Sequence, residues 1–151
     1  MSETGFRARA TLAGGVTAAP LPEGALLLLL GRAGGPAPDV AGARPIAPGQ
    51  WLLTGAAAAD PGGIAARLPD FAVVDQGHGR VGLGIAGHGA AAMLARGTGV
   101  DPDVLAVGAT AATMLGPISV ILTKVEQESF ELYVSRSFAE SLREEIEAML
   151  P

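Results

Sequence analysis

The segment DQGHGRVGLG (Asp75–Gly84) decides which class of fold this chain can adopt. Its glycines Gly77, Gly79 and Gly82 have the spacing G-x-G-x-x-G and follow the apolar run FAVV, a pattern typical of dinucleotide-binding turns. In such a fold the glycines lead into a helix, because the N–H groups and the dipole of its first turn hold the pyrophosphate. The residues after Gly79 therefore distinguish a cofactor site from an ordinary turn.

Those residues have the pattern of a strand. Apolar residues recur at every second position of VGLGIA (Val81–Ala86), the period expected of a strand with one face on the core. Gly82 and Gly84 would each cost a helix about 1 kcal/mol relative to alanine. Asp101 lies at the distance where a ribose-binding acid occurs, but one acidic residue at a loose spacing is weak support. The segment predicts a strand and argues against a bound dinucleotide.

The same two glycines leave one face of this strand without side chains. Such a face permits close approach of another backbone or of a ligand. We expect a helix of the same chain to cover it.

Composition excludes several classes of function. The chain has 151 residues, 49% hydrophobic and 17% charged, which suits one domain with a substantial core. Its net charge is −5 and its single lysine is Lys124, so we expect no nucleic-acid partner and no anionic membrane. Cysteine is absent, which removes disulfides and thiolate chemistry and favours a reducing, cytoplasmic compartment. The run ALLLLL (Ala25–Leu30) is far shorter than the roughly 20 apolar residues of a spanning helix and predicts a buried strand.

The chain is expected to form a single domain, 1–151, with two parts. Residues 1–49 are loop-rich with one strand, and Gly31–Gly49 has no apolar period and many Gly and Pro residues, which predicts a long loop. Residues 50–151 carry the clearer signals and form the predicted core.

Within that core, local signals predict alternating strands and short helices. Two strands are predicted, QWLLTG (Gln50–Gly55) and FAVVD (Phe71–Asp75). Between them, Asp60 followed by Pro61 predicts the N-cap and the first residue of a helix that ends before Pro69. A second short helix is predicted from about His88 to Arg96, with Gly97 as a left-handed C-cap, and Leu115–Pro117 is a predicted turn.

The last fifty residues predict a hairpin and an amphipathic helix. Two alternating runs, Ile118–Thr123 and Phe130–Ser135, lie on either side of the polar tip EQES (Glu126–Ser129), which predicts a hairpin with a four-residue loop. Ser137 and Glu140 have the spacing of a capping box. One face of the helix is predicted to be apolar, formed by Phe138, Leu142, Ile146 and Met149.

No catalytic or metal-binding set stands out among the polar residues. The two histidines, His78 and His88, lack the regular ligand spacing of a zinc site, with Asp75 and Asp101 as the nearest further candidates. Asp75 could orient His78 as a general base, but the same hydrogen bond would equally fix the turn, and we favour the turn. Ser137 lacks the context of a nucleophile. We therefore expect no catalytic, cofactor-binding or metal-binding residue in this chain.

Two segments carry a resemblance to a known family. VVDQGHGRVGLGIAGHGAAAMLARG (Val73–Gly97) and FELYVSRSFAESL (Phe130–Leu142) resemble segments of the gamma subunit of heterotetrameric sarcosine oxidase, in the same order and spacing, and QWLL is similar upstream. His88 departs from the family's usual proline, Gly82 and Gly84 replace bulkier residues, and the first third does not align clearly.

The resemblance implies an α+β fold like the folate-binding domain of the glycine-cleavage T-protein, a mixed or antiparallel sheet with helices packed on it. It also implies an accessory chain without catalysis of its own in a complex that oxidises sarcosine. FAD, FMN, NAD and tetrahydrofolate would lie on the other subunits, zinc on the delta subunit, and the partners would be the alpha, beta and delta subunits. The isolated chain could also self-associate.

A second reading is a free-standing folate- or small-molecule-binding protein of T-protein type, with Asp75, Gln76 and Arg80 contacting a pterin or a carboxylate. Arg80 is expected to bridge the Asp75 turn or a partner carboxylate, and Trp51 to be a core residue or a partner contact. The full set of structural or interface candidates is Trp51, Asp75, Gln76, His78, Gly79, Arg80, Arg136, Ser137 and Phe138.

Overall fold

Strands predominate over helices in residues 10–11 and 15–149, the part of the chain that the computed structural model describes. In chain order the elements are β1 (Ala10–Thr11), β2 (Thr17–Pro20), β3 (Leu26–Leu30), β4 (Arg44–Ala47), β5 (Gln50–Thr54), α1 (Pro61–Arg67), β6 (Ala72–Asp75), β7 (Arg80–Ala86), α2 (Ala90–Ala95), β8 (Thr110–Leu115), β9 (Ile118–Glu126), β10 (Ser129–Ser135) and α3 (Ala139–Met149). Short 3₁₀ turns span Gly55–Ala58 and Arg136–Phe138. None of the helices in these ranges is long and apolar enough to cross a bilayer.

The fold is α+β with two antiparallel sheets, which confirms the predicted class. One sheet has six strands in the order β1-β2-β7-β10-β9-β8, and the other has four in the order β4-β5-β3-β6. The described residues form two compact units: Glu23–Arg80 with the four-stranded sheet, and the segments up to Pro22 and from Val81 onward with the six-stranded sheet. The expectation of a single domain over 1–151 stays a prediction.

The six-stranded unit has a core of alternating strand residues and two helix faces. Strand residues such as Leu83, Leu122 and Leu132 are fully buried, together with Leu94 of α2 and Ile146 of α3. Fully burying a side chain of this size contributes about 1.5–3 kcal/mol relative to leaving it exposed. The alternation read from the sequence thus places one face of β7, β9 and β10 on this core.

The four-stranded unit has its own core around the central strand β3. Leu27 and Leu29 are fully buried and pack with Leu53 of β5 and Ile64 of α1. Asp60 is the N-cap of α1, because its Oδ1 accepts the Gly63 N–H at 3.1 Å, and Pro61 is the first helical residue, both as predicted. The buried strand predicted from the leucine run is β3.

The segment after the glycine motif is the strand β7, as predicted, and not the helix of a dinucleotide-binding turn. It pairs antiparallel with β2 and lies beside β10, so it is an interior strand of the six-stranded sheet. Its bare face is covered differently from our expectation. An ideal Cβ at Gly82 would lie 2.7 Å from Leu21 Cδ1 and 2.7 Å from Tyr133 Cε1, so a leucine after β2 and a neighbouring-strand tyrosine fill the space that we assigned to a helix.

The amino-terminal part contains more strands than the sequence predicts. Residues 1–9 and 12–14 of it lie outside the described residues, as do residues 150–151 at the other end. Beyond β3, strands β1, β2 and β4 are present, and β4 lies inside the predicted loop Gly31–Gly49. β4 is an edge strand with a bulge after Pro45, the two contexts in which a sheet tolerates proline. The loop of the β9–β10 hairpin is also shorter than predicted, since β9 extends to Glu126 and β10 begins at Ser129.

The predicted capping box is wrong. Ser137 lies inside the 3₁₀ turn Arg136–Phe138 and α3 begins at Ala139, so Ser137 is not the residue that precedes the helix. Its hydroxyl is 3.3 Å from Ser135 Oγ, and the Glu140 carboxylate binds Arg143 one turn further along. The tight turn also carries Phe138 off the apolar face, where its side chain is 51% exposed.

The predicted left-handed C-cap at Gly97 is wrong as well. Gly97 does not have a positive φ. A Cβ there would collide with the Met149 Sδ atom, so the glycine allows close packing of the chain after α2 against the end of α3.

Candidate functional site

The turn Asp75–Arg80 gathers most of the residues that the sequence singles out in the four-stranded unit. β6 ends at Asp75, whose Oδ1 accepts the Gly77 N–H at 2.9 Å. The Gln76 carbonyl accepts the N–H groups of Gly79 at 3.0 Å and of Arg80 at 3.2 Å. The Gln76 N–H donates to the Leu26 carbonyl at 2.8 Å, which ties the turn to β3. The polar groups of the turn are thus bonded mainly to one another.

This geometry does not fit a dinucleotide. A phosphate-binding turn needs N–H groups that point outward at the ligand and a helix that follows them. Here the N–H groups of Gly77, Gly79 and Arg80 donate within the turn, and β7 follows. A Cβ at Gly77 would lie 2.8 Å from the Gly24 carbonyl oxygen, so this glycine serves close backbone packing. At Gly79 the nearest atom to a Cβ is 3.8 Å away, and the position is open.

Arg80 spans the Asp75 turn, as expected, through a bond to Gln76. Its Nε donates to Gln76 Oε1 at 2.7 Å, whereas the Asp75 carboxylate accepts from the Gly77 backbone. The expected bridge across the Asp75 turn is therefore present, with Gln76 as the partner, and contact with a partner's carboxylate stays a prediction. The side chain is half-buried, and this desolvation lowers the pKa of the Arg80 guanidinium from its ordinary value. An arginine remains charged under these conditions.

Of the other candidates in this unit, Trp51 is packed in the sheet, whereas His78 and Gly79 are exposed at the tip of the turn. Trp51 in β5 packs against the core cluster of the four-stranded unit, opposite Leu29 of β3. The structure brings Asp75, Gln76, His78, Gly79 and Arg80 together in one turn, while Trp51 belongs to the body of the sheet.

The candidates Arg136, Ser137 and Phe138 form one 3₁₀ turn in the six-stranded unit. Arg136 is partly buried, while Ser137 and Phe138 are exposed. The neighbour of the Ser137 hydroxyl is the hydroxyl of Ser135, at 3.3 Å. Among the contacts described above, no general base lies against it. Its surroundings are those of a surface turn, with an exposed phenyl ring beside it.

The histidines do not assemble a metal centre in the described part of the chain. His88 Nδ1 is 3.0 Å from Glu128 Oε1, and both side chains are mainly exposed. Across residues 15–149 the His, Asp and Glu side chains form no group of three that could hold a metal ion.

Two cavities contain residues that sequence reasoning missed. One of about 430 Å³ in the four-stranded unit is lined by Gly31, Arg32, Gly35, Pro36, Asp70 and Phe71. One of about 270 Å³ in the six-stranded unit is lined by Gly87, His88, Ala91, Ala92, Asp103, Gln127 and Glu128. Their linings come from segments far apart in sequence, so no local pattern could have identified them.

Comparison with known proteins gives a likeness in fold to a solved structure. No family model matches the sequence, and no curated protein matches it. A solved structure, heterotetrameric sarcosine oxidase from Corynebacterium sp. U-96 in complex with pyrrole 2-carboxylate, contains a chain with a similar fold. The TM-score is 0.73 at 22% identity, and the match covers 92% of this chain and 87% of that one. The likeness establishes a shared fold.

Proposed function

We propose that this chain is a non-catalytic accessory subunit, of the gamma type, in a heterotetrameric sarcosine oxidase-like complex. The observation that carries the proposal is the fold likeness to a chain of such a complex, which covers most of both chains. Because both are covered almost fully, the two chains have about the same length, which favours comparison with a small subunit.

Two sequence segments support the same proposal independently. The segments Val73–Gly97 and Phe130–Leu142, which resemble the gamma family, span most of β6, all of β7 and α2, most of β10 and the start of α3. They therefore follow consecutive structural elements in the order that the resemblance requires.

In the proposed complex the oxidation of sarcosine to glycine, with peroxide and a folate-linked one-carbon product, belongs to other subunits. FAD, FMN, NAD and tetrahydrofolate would be bound there, and the alpha, beta and delta subunits are the proposed partners in the cytoplasm. The internal bonding of the Asp75–Arg80 turn favours a structural role for this chain, since these groups are already satisfied. The chain would pack on the alpha subunit and stabilise the assembly.

A second candidate is a free-standing folate- or small-molecule-binding protein of T-protein type. The observation in its favour is the 430 Å³ cavity, where Arg32 and Asp70 offer both charges beside the Phe71 ring. Asp75, Gln76 and Arg80 support it less, because their side chains already bond within the turn.

Co-expression tests the proposal. The chain is produced with and without the flavoprotein subunits of a sarcosine oxidase-like complex from the same source, and each preparation is assayed for sarcosine-dependent peroxide formation. We expect activity and flavin only in preparations that contain the flavoproteins, and a lower melting temperature of the complex when this chain is omitted. Oxidase activity of the chain alone, or a complex that assembles and melts identically without it, would contradict the proposal.

A further inference from the structure

The segment between α2 and β8 exposes unusual apolar surface. We call residues 101–109 the valine loop, after Val104, which is 79% exposed, and Val107, which is 56% exposed. They are the two most exposed large apolar side chains among the described residues. Between them Leu105 points the other way and packs against the core of the six-stranded unit.

The loop is held in this form by a buried lysine. Lys124 of β9 is 1% exposed, and its Nζ donates to the carbonyls of Pro102 at 3.0 Å and Asp103 at 3.3 Å. Nζ also lies 5.8 Å from the centroid of the Phe130 ring, within the range of a cation–π contact. An ammonium group is costly to bury unless its hydrogen bonds are satisfied, so the loop carbonyls are the groups that permit it.

The backbone of the same lysine fixes the end of the loop. The Gly108 N–H donates to the Lys124 carbonyl at 2.6 Å, and the Lys124 N–H donates to the Ala109 carbonyl at 3.1 Å. Both ends of the loop are thus fastened to one residue. The exposure of the valines follows from a rigid loop, and a rigid apolar projection loses little conformational entropy when it binds.

Two carboxylates lie in the loop on the amino-terminal side of Val104. Asp101 and Asp103 are exposed within the loop, and Asp101 Oδ1 accepts the Asp103 N–H at 3.0 Å. Asp103 also lines the 270 Å³ cavity together with Glu128 of the hairpin tip. A second copy of this chain would bring like charges together at this surface, which disfavours self-association through it. A partner edged by cations is complementary.

We propose that the valine loop, with its two carboxylates, is a docking surface for another protein chain that presents an apolar pocket edged by Arg or Lys. The inference rests on the proposed accessory function and names the part of this chain that contacts a partner subunit. Val104 and Val107 would fill the pocket, and Asp103 would face the cations at its edge.

Charged substitutions at the loop test this inference in the co-expressed complex. The double variant Val104→Asp, Val107→Asp places two carboxylates where apolar contact is required, and we expect its association with the flavoprotein subunits to weaken by about tenfold or more. Val74→Asp is the matched control, because Val74 is also an exposed valine, at 39%, outside the loop. The melting temperature of each isolated variant establishes that it is folded.

Lys124→Met provides a second variant that leaves the valines in place. We expect faster hydrogen exchange of the amides of residues 101–109 in the isolated chain, and weaker association because the loop is no longer held rigid. In the wild-type complex the same amides should exchange more slowly than in the isolated chain.

The outcomes separate this inference from the proposed function. The docking surface is supported if the double variant no longer associates with the flavoprotein subunits while the Val74→Asp variant still does. A complex that retains the double variant and leaves residues 101–109 unprotected overturns it while the accessory function stands. A wild-type dimer that the double variant dissociates means that a second copy occupies the surface, which also overturns it. Failure of the wild-type chain to join any complex overturns the accessory function and this inference together.

Discussion

Alanine at Gly82 should destabilise the protein, whereas alanine at Gly84, on the same face of β7, should not. A Cβ at Gly82 would lie 2.7 Å from Leu21 Cδ1 and 3.1 Å from Leu21 Cβ, and 2.7 Å from Tyr133 Cε1. At Gly84 the nearest atoms are Leu21 Cδ2 at 3.4 Å and the Ala19 carbonyl at 3.7 Å, which are ordinary contacts. The two substitutions therefore differ mainly in packing.

The expected magnitudes follow from two opposing effects. Forcing a methyl group into a filled site lowers the free energy of unfolding by about 1–3 kcal/mol. Replacing glycine by alanine raises it by about 0.4–1 kcal/mol, because the unfolded chain has less conformational entropy. Gly82→Ala should thus lose about 1–2 kcal/mol of unfolding free energy, while Gly84→Ala should gain up to about 1 kcal/mol. For a chain of this size the variants should differ in melting temperature by about 4–8 °C.

Thermal and urea unfolding followed by circular dichroism measure both effects. Leu21→Ala is the informative companion variant, because shortening this side chain should remove the contact with Leu21 Cδ1, while that with Tyr133 remains. The penalty of Gly82→Ala should therefore be reduced in part in a double-mutant cycle. Equal stability of Gly82→Ala and Gly84→Ala, or no coupling to Leu21, would refute the packing of Leu21 over this face of the strand.

Three further predictions concern the turn and the helices. Gly77→Ala should destabilise the protein, because its Cβ would meet the Gly24 carbonyl, whereas Gly79→Ala at an open position should be neutral; a urea titration compares them directly. Asp60→Ala should cost about 1 kcal/mol through the lost cap of α1, and an unchanged unfolding midpoint would argue against the cap. The hydrogen bond from Arg143 lowers the pKa of Glu140; this contribution to stability is present above the ordinary glutamate range and is lost as pH falls through the depressed pKa. NMR titration should therefore give a higher pKa for Glu140 in Arg143→Gln, and identical values in both proteins would contradict the pairing.

The sequence predicted elements whose local pattern and tertiary surroundings agree. β7 could be predicted because its alternation of period two is not compatible with a helix, and α1 because Asp60 and Pro61 each have one strongly preferred position. Strand β4 could not, since its four residues include a proline that only its edge position and a bulge accommodate.

The capping box failed for a reason visible only in three dimensions. Ser137 and Glu140 have the correct spacing, but the chain leaves β10 through a 3₁₀ turn, which moves the start of α3 beyond Ser137. The spacing of the motif was right, and the register of the helix was not.

The sequence could predict part of the valine loop and its support. Lys124 continues the core-facing alternation of Val120 and Leu122 in β9, so its position predicts burial, although the sequence does not reveal which carbonyls receive its protons. The exposure of Val104 and Val107 depends on Leu105 taking the inward place, which no local pattern specifies.

Native mass spectrometry of the tagged chain, purified from its own cells at low salt, tests the accessory role most directly. The account predicts a heteromeric particle that contains this chain together with flavin-bearing subunits, with no flavin or tetrahydrofolate on the chain itself after the particle is dissociated. Recovery of this chain alone, with bound or measurable affinity for a folate, would contradict it.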